Sequence, residues 1–61
     1  MDKKLHDLLS SGKFFNVELK DGIIMQHVCV EYMSDNIILF VLKSGDYKVV
    51  NPSHVKKAQK I

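Results

Sequence analysis

The chain has 61 residues, a net charge of +2, 46% hydrophobic and 26% charged residues. That size is a single domain at the small end of independent folding, and the balance is that of a globular domain rather than a disordered tail. One cysteine, Cys29, excludes an intrachain disulfide, and His6, His27 and His54 stand apart without zinc-ligand spacing, so no metal or other cofactor is implied. The longest apolar run, Ile37–Leu42, is far too short to span a bilayer. Lys3-Lys4 is followed by neither an apolar core nor a cleavage-site pattern, so a cytoplasmic protein with no membrane association is expected.

Residues 2–11 predict a short helix: Asp2 is a competent N-cap, Leu5, Leu8 and Leu9 fall at i, i+3 and i+4, and Gly12 is placed as the C′ residue. A helix of that length is marginal alone and needs a surface for its leucines, which the mouth of the following β-structure supplies.

From Phe14 to Val50 the chain is a run of apolar-rich strands cut by Asp21-Gly22, Ser34-Asp35-Asn36 and Ser44-Gly45-Asp46. Asp-Gly between two β-rich runs signals a hairpin, with a type I′ turn demanding positive φ at both central positions. Strands are expected at about 14–20, 23–33, 37–43, 47–50 and 55–61. In the first, Phe15, Val17 and Leu19 face inward and Asn16, Glu18 and Lys20 outward. The second is long and apolar on both faces, one holding Ile24, Gln26, Val28, Val30 and Tyr32 and the other Ile23, Met25, His27, Cys29, Glu31 and Met33; such a strand bends and serves both halves of a small barrel. The third is continuously apolar and expected to be the most buried, and Pro52 ends the ladder after the fourth. The fold class is therefore mainly β: a short N-terminal α-helix followed by a five-stranded, strongly bent antiparallel small barrel in one domain, residues 1–61.

All nine basic residues are lysine. Without arginine, bidentate recognition of guanine or phosphate is lost, which argues against sequence-specific duplex DNA binding. Contacts of lysine to phosphate and of loops to unpaired bases remain open. No nucleophile sits beside a base in sequence, no paired carboxylates flank a loop and no glycine-rich phosphate cradle exists, so no catalytic activity is expected.

The order of one helix and five strands, the second long and bent, resembles the Sm-like and Hfq-like RNA chaperones, and SH3-like barrels share most of it. Val17-x-Leu-x-Asp-Gly-Ile-x-x-Gln26 looks like the first Sm motif, Glu31-Tyr32 followed by Asn36-Ile37-Ile38-Leu39 resembles its aromatic position and N-hydrophobic run, and Ser53-His54-Val55 sits where the second motif's loop and last strand would be. The chain departs from the family at the loop before the last strand, where Asn51-Pro52-Ser53-His54 supplies only the histidine of a Lys-His pair. Met33 stands where Sm proteins have aspartate, the second motif's Arg-Gly is absent, and the family's rim arginines are replaced by Leu9, Ser10 and Gly12.

The resemblance implies a ring that binds single-stranded RNA in post-transcriptional regulation. It nominates Asn36 to read a base edge, with Asp35, Tyr32, Ser53, His54, Lys56 and Gln26 around it. Each has a plainer reading: Ser34-Asp35-Asn36 as a polar turn, His54 as a cap after Pro52, and Lys56, Lys57 and Lys60 as a solvated strand face that discourages aggregation. Ile23, Met25 and Gln26 would lie on the face that Hfq-like rings use for adenine-rich RNA, with core or subunit packing the plainer role for Met25. His27, where the Sm pattern has a small residue, reads as structural, and Cys29 as a core filler. The alternative is an SH3-like protein-interaction module, or a small inhibitor encoded by a phage or other mobile element, on the same kind of barrel without RNA binding.

Overall fold

The computed structural model describes residues Met1–Ile61. Asp2 opens the helix α1 (Lys3–Ser10) by accepting the Lys4 N–H on its carboxylate at 3.3 Å. Leu9 is buried, and Leu5, one turn before it, and its neighbour Leu8 pack against the same core. Ser11 ends the helix: its N–H and its hydroxyl both donate to the Leu8 carbonyl, at 3.1 and 2.8 Å. Gly12 follows this cap without the left-handed φ expected of a C′ glycine. Its missing side chain instead leaves room for Lys60, whose Cγ and Cδ would meet a Cβ there.

Five strands follow: β1 (Phe15–Leu19), β2 (Ile24–Met33), β3 (Ile38–Val41), β4 (Tyr47–Val50) and β5 (Val55–Lys60), with a 3₁₀ turn over Pro52–His54. They form one antiparallel sheet in the order β4-β3-β2-β1-β5. The first half of β2 pairs with β1 and its second half with β3, so the sheet folds over itself along β2. Hydrogen bonds do not close it into a complete barrel; β4 and β5 are free edges.

The hairpins differ from the expected type I′ form. Gly22 donates to the Leu19 carbonyl at 3.0 Å and Leu19 to the Ile23 carbonyl at 2.8 Å, and Gly22 alone in that loop has positive φ, at 93°. The loop therefore has three residues, Lys20–Gly22: a tight turn followed by one left-handed glycine, which needs one unusual backbone position rather than two. Lys43-Ser44-Gly45 repeats it, with Gly45 bonded to Leu42 at 2.9 Å and Leu42 to Asp46 at 2.7 Å.

Nine residues make the core: Leu9, Phe15, Val17, Leu19, Met25, Val28, Ile38, Phe40 and Val50. In β1 the predicted inward face is the observed one. In β2 neither predicted face survives as a unit. The residues that reach the core are Met25, Val28, Val30 and Met33, drawn from both alternating sets. Two bulges cause this: Asn16 of β1 lies opposite a two-residue step at Gln26-His27, and Glu31 is an extra residue between Val30 and Tyr32 in the pairing with β3. Each bulge moves the alternation on by one and bends the strand. In β3 only Ile38 and Phe40 are buried; Leu39 and Val41 face outward and are half-buried.

Candidate nucleic-acid interface

Loop residues nominated from the sequence divide between two ends of the structure. The β2–β3 turn is closed by Ser34, whose N–H donates to the Ile37 carbonyl at 2.8 Å and whose hydroxyl accepts from the Asn36 and Ile37 N–H groups at 3.3 Å. Asn51 caps the 3₁₀ turn by accepting the Ser53 N–H and hydroxyl, both at 2.9 Å. These two loops and the start of α1 enclose a cleft of about 340 Å³ lined by Met1, Asp2, Leu5, Asp35, Asn51, Pro52 and Ser53. Asp35 and Ser53 are thus brought together, with Asn36 exposed beside them. The charges there oppose an RNA site: the Met1 amine lies 3.4 Å from Asp35, and Asp2 adds a second carboxylate. Phosphate is repelled by such a surplus of carboxylate.

His54 turns away from that cleft. Its Nε2 lies 3.3 Å from Asp21 Oδ2, and its carbonyl accepts the Lys20 N–H at 2.8 Å, so it clasps the β1–β2 turn. Asp21 also accepts the Ile23 N–H at 3.0 Å. That backbone hydrogen bond is the largest effect and outweighs the opposing desolvation, and the His54 hydrogen bond, the His54 charge and the Lys48 charge each add a smaller effect that holds the Asp21 carboxyl below its ordinary value. A carboxyl that is more acidic folded than unfolded adds stability above its unfolded value of about 3.9, and that stability fades as pH falls through the lower folded value. Thermal melts taken from pH 6 down to pH 2 are therefore expected to fall less steeply for Asp21→Asn than for the unmodified chain, with the difference confined to pH below about 4.

The remaining nominees are dispersed. Lys56 Nζ lies 3.6 Å from Glu18 Oε2, and Lys57 is the cross-strand partner of Glu18, so this part of the lysine cluster already faces an acid. Tyr32 stands on the outer face of β2 opposite Leu39. Gln26 lies elsewhere again, at the rim of a cleft of about 370 Å³ between the β1–β2 and β3–β4 hairpins. The apolar lining of this cleft is Ile23, Ile24, Met25, Val28 and Leu42; Lys43, Ser44 and Lys48 join Gln26 as its polar groups.

Two lysines at one apolar cleft are what the loop-centred reading missed. Their signal was present as Lys43 and Lys48 on either side of the Ser44-Gly45-Asp46 turn. The three-residue loop leaves Lys43 at the hairpin tip and Lys48 on the returning strand, and both reach the start of β2. Phe14 stacks on His27 at 4.4 Å beyond the bulge, with Lys13 Nζ 5.5 Å from the Phe14 ring centre.

The fold and clefts define a small, mainly β domain with two open sheet edges and one apolar cleft that carries lysines. No family model, curated protein or solved structure matches this chain. No helix is long and apolar enough to cross a membrane.

Proposed function

We propose that this chain is an Sm-like protein that binds single-stranded RNA and assembles into a ring through its free edges β4 and β5. The observation that carries the reading is the cleft between the two hairpins. Ile23 and Ile24, both exposed, offer an apolar surface for a base above the buried Met25, Gln26 offers an amide to a base edge, and Lys43 and Lys48 offer cations to the adjoining phosphates. Ile23, Met25 and Gln26 are also the positions that the Hfq resemblance assigns to adenine-rich RNA. The edges supply the motive for assembly, since unpaired strand edges on a chain this small are satisfied most simply by another copy.

The test is titration of adenine-rich and uridine-rich oligonucleotides at two salt concentrations. Binding is expected to favour the adenine-rich strand, to weaken as salt rises, and to fall at least about tenfold in the double variant Lys43→Glu, Lys48→Glu, as the loss of two phosphate contacts requires. Asn36→Ala with His54→Ala is expected to change it little. No binding at low salt, or binding indifferent to the two lysines, overturns the proposed site; the first result also leaves the protein-interaction module as the better reading.

A further inference from the structure

The outer surface of the bent sheet is not uniform. Over β5, β1 and the start of β2 it carries Asn16, Glu18, Gln26, Lys57 and Gln59, a polar solvated face with one exposed aliphatic side chain, Ile24. Over the second half of β2, β3 and β4, two successive cross-strand rows are themselves uncharged; the exposed Glu31, at the bulge between the rows, and Lys13 line a cleft beside Cys29 and Val41 at one border of the patch. One row is Tyr32–Leu39–Val49 and the other Cys29–Val41–Tyr47. Tyr32, Tyr47 and Val49 are 55%, 64% and 62% exposed, and Leu39, Val41 and Cys29 are not among the residues packed on the core.

We infer that this apolar plate is the docking surface for a second copy of the chain, packed sheet on sheet about a two-fold axis. The arrangement of side-chain sizes carries the choice of partner. Tyr32 and Tyr47 occupy one pair of diagonal corners, and the small Val49 and Cys29 occupy the other. A two-fold along β3, lying between the faces, sets Tyr32 over the partner's Val49 and Tyr47 over the partner's Cys29. A two-fold across the strands sets Tyr32 over the partner's Cys29 and Tyr47 over the partner's Val49. Either way each tyrosine meets a small residue, so the plate is complementary to itself at the usual sheet separation of about 10 Å.

The area agrees. With about 200 Å² for a tyrosine side chain and less for valine or leucine, the exposed parts of the plate come to roughly 500 Å² per copy. Two facing copies then remove about 1,000 Å² from water, the lower bound for a specific interface, which describes a dimer that forms as concentration rises. Pairing β4 with β5 of a neighbour in a ring would leave the plate uncovered, and the plate shares no residue with the lysine-bearing cleft.

Sedimentation and light scattering across a dilution series, millimolar to micromolar, test this on the intact chain. The particle mass is expected to halve on dilution, and to be halved at all concentrations by Leu39→Lys. Tyr32→Lys is expected to do the same from a position exposed enough to leave folding intact. Glu18→Gln, on the polar outer face of the internal strand β1, is expected to leave the mass unchanged. These substitutions avoid both sheet edges, so a ring, if formed, is halved from a doubled ring rather than dissolved. A chain that stays a single copy at millimolar concentration, a mass unaffected by both plate variants, or capture of a different protein on the plate in place of a second copy would each overturn the inference. Oligonucleotide binding at the cleft reads out separately from all of these.

Discussion

Phe15→Ala is expected to abolish cooperative unfolding at 25 °C, whereas Phe14→Ala is expected to keep it. Phe15 has no exposed surface, and its strand is the one that pairs with both β2 and β5. Truncating a buried phenylalanine costs about 3–5 kcal/mol, from lost transfer energy and the cavity left behind. At about 0.05–0.15 kcal/mol per residue a domain of this length has roughly 3–9 kcal/mol in all. Removal of Phe15 therefore takes from about a third to all of that stability. Phe14 is half-buried on the other side of the strand and stacks on His27, a contact worth about 1 kcal/mol. Urea titrations followed by circular dichroism separate the two: a sloping, midpoint-free trace for Phe15→Ala and a lowered but sharp midpoint for Phe14→Ala. Equal losses would mean that β1 does not present these neighbours to opposite sides.

That pair also shows what can be read from residues alone. Phe15, Val17 and Leu19 alternate without interruption, and an unbroken alternation places every side chain of a strand once one is placed. The same logic fails in β2 because Gln26-His27 and Glu31 each add a residue, and nothing in an apolar-rich run marks where a register slips. Asp21-Gly22 located a hairpin, but Lys20 joined the loop and reduced the left-handed positions from two to one. The candidate site suffered in the same way. The Sm-like resemblance places Asn36 and His54 in one RNA site, yet His54 is held by Asp21 on the far side of its turn. Lys43 and Lys48 flank a turn in the sequence, and only the folded hairpin brings them to one cleft.

His27 offers the sharpest test of whether the bend in β2 comes from backbone or side chain. It is the only residue other than glycine with positive φ, at 58°. Its N–H donates to Asn16 Oδ1 at 3.0 Å, and its ring lies at 27° to Phe14. A left-handed backbone conformation costs a non-glycine residue about 1–2 kcal/mol, and a β-branched side chain tolerates it worst. His27→Val is accordingly expected to lower stability by about 2–3 kcal/mol, combining the strain with loss of the stack. His27→Gly loses the same stack but relieves the strain, so its change is expected to stay within about 1 kcal/mol. The urea midpoints are thus expected in the order Gly above Val, with the unmodified chain near Gly. If the stack on Phe14 were what holds the bend, glycine and valine would fall together, since neither can stack. The order matters beyond stability. The left-handed step turns Gln26 outward to the cleft while Val28, two residues on, enters the core. If the cleft takes RNA as proposed, a substitution that resists this conformation is expected to weaken that binding in proportion to its cost in folding, while His27→Gly leaves it intact.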